Sequence, residues 1–429
     1  MKVVIVNALF HPFTGGVEKH LHELGKHLAG KGVEVHVLTG RLEGTLAEEV
    51  LDGIHVHRIP CTEIRVPSIY PPPLILSRGV EEALAKLDAE HDFDLIHLQD
   101  RWFPDFNAAL LYAKRVHKPF VLTLHNARPL GIAPHYTVLG SLYDEVVGKR
   151  ILKSADKIIS VSSWSAKDVA NYGIPLENFI VVHNGIDTKA FQPRRTSVFV
   201  RKMGIKGPLL LFVGRIIRQK GLEYAVKAMP LILKKHPDAR FVVIGRGNRL
   251  EHVKKLVKQM KLEDSVIFPG FVPERELFEA LGSCDVFILP SLWEVLPISI
   301  LEAMSCGRPI VCTTAGGNAE LVRDGYNGFV VPKRSPEQLA EAVTKLLDDD
   351  ALRTHMGENS RKRAVQEFDW EIITDQTIVA YKQILREYAA KPREAATARE
   401  AFNELSNEFS KDMHAFNEKI KATIARARR

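Results

Sequence analysis

The sequence predicts an α/β protein built as two doubly wound, Rossmann-like halves, each a parallel sheet with helices on both faces. Three observations carry this. Apolar strand-like runs alternate with helix-period stretches from Lys2 to about residue 192, and such alternation builds parallel sheets through crossover helices. The pattern breaks at Asn184-Gly185 and Pro193, a turn and linker, and restarts at Leu209. A chain of 429 residues, 45% of them hydrophobic, is long enough for more than one core.

In the first half, residues 2–9 read as a strand, and FHPFTGG forms a loop feeding a helix from about Val17 to Lys31. Gly15 and Gly16 stand immediately before that helix. A glycine turn at a helix start offers free N–H groups and the positive end of the dipole, which suits an anion; a tight strand-to-helix turn fits the same residues. VEVHVLT and IHVHRI follow as strands, then a helix near Leu76 to Ala89, then the strands DLIHLQ, PFVLTLH and KIISVS. Ligands of such sheets bind at strand carboxyl ends. His125 directly follows the strand Phe120 to Leu124, so it is either a ligand contact or a structural hydrogen-bonding residue; His97 reads as structural. The stretches Pro67–Pro73 and Arg101–Tyr143 look loop-like and carry Tyr70, Trp102, Phe103, Phe106, Tyr136 and Tyr143.

In the second half, LLLFVG leads to Arg215 and Lys220, with Gly221 opening a helix through Tyr224 and Ala228. Two cations at a strand mouth can converge on a diphosphate or form a solvated basic loop. RFVVIGRGNRL holds Gly245 and Gly247, but Leu250 stands where a dinucleotide fingerprint wants its third glycine, which speaks against a nicotinamide cofactor. The stretch from Asp285 to Gly325 opens as a buried strand, Val286 to Leu289, closed by Pro290. Pro297 suits the first turn of a helix, placing Glu294 on the preceding loop and Glu302 within the helix. A short strand, Pro309 to Cys312, and a turn at Gly316 and Gly317 complete it. Buried carboxylates need partners; sugar and ribose hydroxyls would serve, and so would Lys or Arg. Two helical stretches follow Pro332.

Beyond Pro392, Phe402, Leu405, Phe409, Met413, Phe416, Ile420, Ile424 and Ala427 recur with an eleven-residue period, one apolar stripe along a nearly straight helix ending in basic residues. Three readings stay open for the segment 391–429: a membrane surface, another subunit, or the catalytic body. The net charge of +7 suits an anionic ligand or membrane surface. No nucleic-acid module is recognisable. The first residues read as a strand rather than a signal peptide. The apolar window 286–304 holds Glu294 and two prolines, so no membrane span is predicted. Cys61, Cys284, Cys306 and Cys312 lack paired metal spacing, and free thiols in a reducing cytoplasm are expected.

Glu294 and Glu302 with seven residues between them, followed by LEAMSCGRPIV and the Gly-Gly loop, closely resemble the nucleotide-sugar site of GT-B glycosyltransferases, specifically the retaining enzymes of glycosyltransferase family 4. GGVEKH near the start, TLHN at 123–126, NGID at 184–187 and VGRIIRQKG at 213–221 recur in family order up to about Leu385. The resemblance implies a GT-B fold with two domains facing across a cleft: 1–192 for the acceptor, 193–372 for the nucleotide sugar, a helix at 373–390 crossing back to the first domain, and the tail 391–429. It implies retaining transfer from a UDP- or GDP-linked sugar to a hydroxyl acceptor, lipid-linked or glycan. In those terms Glu294 holds hydroxyls of the donor sugar and Glu302 the ribose. Arg215, Lys220 and the N–H groups around Gly15 and Gly16 stabilise the leaving diphosphate, and His125 contacts the sugar. Leu296, Pro297, Ile298 and Ser299 shape the donor pocket, while the aromatic loops frame the acceptor. Asn184 and Asp187 belong to the hinge-side motif and are structural. Attack on the front face leaves the departing phosphate to take the acceptor's proton. No metal and no cofactor beyond the donor is expected, since no DxD-like pair stands at a strand end. The expected place is the cytoplasm, or the inner face of the membrane as a peripheral protein. Pro297 departs from the family, where many relatives carry glycine; proline has no N–H, so one backbone donor to the sugar is missing. A GT-B epimerase and a non-catalytic nucleotide-sugar sensor are the competing readings.

Overall fold

The computed structural model describes the chain except residues 14, 65–73, 104–106, 130–133 and 195–197 and, beyond Ala390, all but Ser406, Asn407 and Lys411. Two compact units emerge: Met1–Val182 with Thr374–Arg429, and His183–Ile373. The boundary expected at 193 thus lies inside the second unit.

The first unit is built on β1 (Lys2–Val6), β2 (Glu34–Arg41), β3 (Glu48–Leu51), β4 (Ile54–Ile64), β5 (Leu74–Ser77), β6 (Leu95–Gln99), β7 (Phe120–Leu124), β8 (Lys157–Ser160) and β9 (Phe179–Val181). Their order in the sheet is β3-β4-β2-β1-β6-β7-β8-β9, with β5 on β4. Val3 to Val6 and all of β6 and β7 are buried, as expected for strands covered on both faces. Buried aliphatic and aromatic side chains from the strands and covering helices, among them Leu84, Phe93, Leu110, Phe120 and Ile151, form the core.

Several expectations need correction here. The sheet is not wholly parallel: β3 and β5 pair with β4 antiparallel. The expected helix near Leu76 to Ala89 starts later. Leu74–Ser77 pairs as a strand with Cys61–Ile64, and the helix Val80–His91 begins only after Gly79. The first strand ends at Val6, because the Asn7 side chain donates to Leu9 O (2.5 Å) and turns the chain. The span Arg101–Tyr143 holds the expected strand β7, but the helices Ala108–Arg115 and Pro134–Tyr143 also stand where loop-like stretches were expected. The loop 67–73 with Tyr70, Phe106, the side chain of Tyr136, and the amphipathic tail lie outside what is described.

In the second unit β10 (Leu209–Val213), β11 (Arg240–Ile244), β12 (Val266–Gly270), β13 (Val286–Leu289), β14 (Ile310–Thr313) and β15 (Gly328–Val331) are ordered β12-β11-β10-β13-β14-β15. All these pairings are parallel. Counted in chain order this is 3-2-1-4-5-6, with the direction of winding reversing between β10 and β13. That reversal opens a crevice at the strand carboxyl ends. The helix Trp370–Ala389 starts in this unit and from Thr374 belongs to the first. There Tyr381 is fully buried, its hydroxyl 2.7 Å from His97 Nδ1.

Candidate functional site

In the second unit the site grows from the two strands that flank the reversal. After β10 comes a short 3₁₀ turn, Arg218–Lys220, capped by Gly221 at φ 58°. A Cβ at Gly221 would sit 2.3 Å from Pro290 O, so only glycine lets this turn approach the end of β13. Gln219 fastens the contact: its side-chain N–H donates to Trp293 O (2.9 Å), and its carbonyl accepts from Leu292 N (2.7 Å). Lys220 is thereby brought to Glu294, with Nζ 2.6 Å from Oε1. Ser291 Oγ donates to the same oxygen at 2.6 Å.

Glu294 lies on the loop before the helix Ile298–Ser305, and Glu302 within that helix; both are buried. The partner of Glu294 is thus a lysine, and it is the lysine expected at a diphosphate. Among the described residues no hydrogen bond reaches Glu294 Oε2, which leaves an acceptor for hydroxyl groups. Arg215 is exposed and, among the described residues, has no ion pair. Leu296 and Pro297 are buried, while Ile298 and Ser299 are partly open. Asn184 Nδ2 donates to Leu296 O (3.0 Å), fixing the loop, and Pro297 precedes the helix with φ −74°. In the first helical turn Ile300 N donates to Pro297 O (3.1 Å), while the N–H groups of Ile298 and Ser299 precede the first intrahelical acceptor. Gly245 and Gly247 serve packing: a Cβ at Gly247 would lie 2.1 Å from Ile216 O and one at Gly245 1.9 Å from Gly214 O. The glycines of RFVVIGRGNRL therefore let two backbones approach.

In the first unit the reversal falls between β1 and β6. The helix Gly16–Gly30 starts after the β1 loop, with Gly15 at its N-cap and nothing within 4 Å of a Cβ placed on Gly16. Glu18 Oε2 tucks against Gly15, 2.2 Å from where a Cβ would stand. Burial, with Asp100 nearby, pushes the Glu18 carboxyl up to about 7. The helix N-terminus expected to receive an anion therefore holds a carboxyl group of its own.

His125 follows β7 and is half-buried; burial, with His20 and His97 nearby, holds it well below the usual histidine range. It is neutral at pH 7. Its Nε2 is 2.7 Å from Gln99 Oε1, and an amide oxygen only accepts, so Nε2 carries the proton and Nδ1 keeps a lone pair. Gln99 Nε2 lies 3.2 Å from His97 Nε2, which also lies 2.6 Å from Thr123 Oγ1. The amide nitrogen donates there, so His97 Nδ1–H donates to the Tyr381 hydroxyl. His20, on the helix Gly16–Gly30, packs edge-on against His125 at 4.9 Å between centroids.

Gly15, Gly16 and His125 thus lie in one unit and Arg215, Lys220, Glu294, Leu296, Pro297, Ile298, Ser299 and Glu302 in the other, where Lys220 and Glu294 meet directly. Sequence reasoning missed Glu18, Gln99, Gln219 and Ser291. Glu18, three residues after the N-cap glycine, carried a signal in that spacing; the others had none. Tyr143 is core: it is buried, and its hydroxyl donates to Arg101 O (2.6 Å). Trp102 stacks on its ring at 5.4 Å and remains partly open. Arg101 is itself buried against Asp144 at 2.8 Å.

Two domains built on largely parallel sheets, each with ligand-type residues beyond the strand carboxyl ends, have the fold of the GT-B glycosyltransferases. Residues 14–190 match the family model described as Glycosyltransferase Family 4, and residues 196–363 the one described as Glycosyl transferases group 1. An uncharacterized glycosyltransferase of Methanocaldococcus jannaschii is 29% identical over 398 residues, 89% of this chain and 98% of that protein. The D-inositol 3-phosphate glycosyltransferase of Kineococcus radiotolerans is 28% identical over 412 residues, 88% of this chain and 92% of that protein. The crystal structure of Anabaena HepE in complex with UDP superposes with a TM-score of 0.70 at 22% identity, covering 89% of this chain and 100% of that one. The chain is a glycosyltransferase enzyme, its first half similar to Glycosyltransferase Family 4 and its second to Glycosyl transferases group 1.

Proposed function

We propose that this enzyme transfers a sugar from a nucleoside diphosphate donor to an acceptor hydroxyl with retention at the anomeric carbon and without a metal ion. The observation that carries this reading is the largely buried pair Lys220–Glu294 at the winding reversal of the second sheet. A donor entering there meets a carboxylate with one open oxygen for sugar hydroxyls and an ammonium for phosphate. Lys220 exchanges part of its contact with Glu294 for the diphosphate, and Arg215 adds a second cation. Both neutralise charge that grows on the leaving group as the glycosidic bond breaks. Glu302 binds the ribose, and the N–H groups at Gly15, Gly16, Ile298 and Ser299 supply donors without further charge. His125, neutral and with Nδ1 unprotonated, accepts a hydroxyl hydrogen of the sugar rather than protonating the leaving group. The departing phosphate oxygen takes the acceptor's proton. Uridine diphosphate sugars are the first donors to try, since the Anabaena relative was crystallised with UDP.

Incubation with UDP-, GDP- and ADP-linked sugars, following release of the free nucleoside diphosphate, is the test. Release that depends on acceptor, with a product whose anomeric NMR coupling matches the donor's, is expected. Binding without release would leave a sensor, and an epimerised sugar would make the protein an epimerase. The acceptor is proposed to be a lipid-linked or glycan hydroxyl. A place at the inner face of the membrane, held by the basic segment 393–429, goes with it.

A further inference from the structure

Outside the site above, four imidazoles converge in the first unit near the amino end of β2, at the opposite ends of the strands from the Gly15 turn. His36 on β2 faces His55 and His57 on β4, and His91 closes the covering helix Val80–His91 above them. Ring centroids from His36 are 4.7 Å to His55, 5.2 Å to His57 and 4.2 Å to His91. His36 has no exposed surface. Ligand nitrogens from His36, His57 and His91 all lie within 4.8 Å of one another.

The hydrogen bonding is incomplete as it stands. Glu34 Oε1 lies 3.1 Å from His36 Nε2, so that nitrogen carries the proton and His36 Nδ1 keeps a lone pair. That lone pair faces His57 Nε2 at 3.0 Å. If His57 Nε2 carries the hydrogen between them, His57 Nδ1 is a buried lone pair that, among the described residues, no donor satisfies. The nearest carboxylate oxygen, Glu48 Oε1, is 3.8 Å from it. Buried polar atoms are seldom left this way.

We propose that His36, His57 and His91 bind a divalent transition metal ion of the zinc class, one ring nitrogen from each, which ties β2 and β4 to the end of the covering helix. With the ion between His36 Nδ1 and His57 Nε2, the His57 proton moves to Nδ1 and points at Glu48. Glu34 then stands behind His36 and Glu48 behind His57, the carboxylate-backed imidazoles that orient metal ligands. Two nitrogens on a tetrahedral zinc are about 3.3 Å apart, given bonds of about 2.0–2.1 Å, so side-chain rotation alone closes the set. Imidazole ligands suit zinc, cobalt, nickel and copper. The ion is structural and takes no part in sugar transfer.

The test uses the full chain with any affinity tag removed, stripped by chelator and equilibrated with zinc or cobalt at micromolar free concentration. Mass-spectrometric metal analysis should find an equimolar amount of metal, the cobalt form should absorb in the visible, and zinc should raise the melting temperature. His91→Ala, a substitution at a helix end, should abolish all three while leaving the circular dichroism of the metal-free chain unchanged. Glu34→Gln should weaken zinc binding by about 10–100-fold. Failure of the wild-type chain to take up either metal, or retention of the full amount by His91→Ala and His57→Ala alike, overturns the proposal. None of these readouts depends on transfer activity, so they stand apart from the reading of the donor site.

Discussion

Glu18 titrates at about 7 in the folded chain against an ordinary 4.5, and this makes it a pH-dependent cost. The folded state binds its proton more tightly than the unfolded one, so the contribution of Glu18 to stability is greatest below about 4.5 and falls as pH rises to about 7. Glu18→Gln should therefore stabilise the protein by up to about 3 kcal/mol above pH 7 and hardly at all near pH 4. Urea unfolding at both pH values checks this, and an equal gain at each would refute it. Lys220 poses a different balance. Lys220→Ala leaves Glu294 buried without its cation, a loss of about 3–5 kcal/mol where burial is complete, and should lower kcat by about 10²–10³-fold. Unchanged kcat in a variant that still folds would remove Lys220 from the mechanism. That Glu294 falls on the loop before the helix Ile298–Ser305 and Glu302 within it was legible from Pro297. That Lys220 and Glu294 pair with each other was not, since 74 residues separate them in sequence.

At the scale of elements, the turn Arg218–Lys220 shows how a glycine sets a functional side chain. Gly221→Ala must accommodate φ 58° and a contact of 2.3 Å to Pro290 O. It should cost at least about 1–3 kcal/mol and raise the donor KM by moving Lys220. An alanine variant with wild-type melting temperature and KM would contradict this account. The helix Trp370–Ala389 offers a second test. Tyr381→Phe removes the acceptor for His97 Nδ1–H at a fully buried site and should destabilise by about 1–3 kcal/mol. Thermal unfolding measures it. Strand and helix alternation made most elements readable, but Leu74–Ser77 was not. Its apolar residues Leu74 to Leu76 stand only four positions before the helix that begins at Val80, and pairing with Cys61–Ile64 decides that they are a strand.

For the whole molecule, if Arg215 and Lys220 stand in for a catalytic metal, transfer continues in EDTA. Turnover should be measured well below the melting temperature of the metal-free chain, so that loss of a structural ion does not intrude. Complete loss there, restored by added divalent metal, would refute metal-independent transfer. Deleting 393–429 should abolish sedimentation with anionic liposomes, and unchanged sedimentation would exclude a membrane role for that segment.

The sequence by itself determined the architecture and the chemical class. Strand periodicity, helix starts and the ordered motifs from GGVEKH to LEAMSCGRPIV are local, and each survives being read one segment at a time. The tertiary structure alone decided which polar groups meet: Lys220 with Glu294, and His36 with His57 and His91. Such pairings depend on sheet order and register, which bring together residues far apart in the chain, and no local pattern encodes the distance between them.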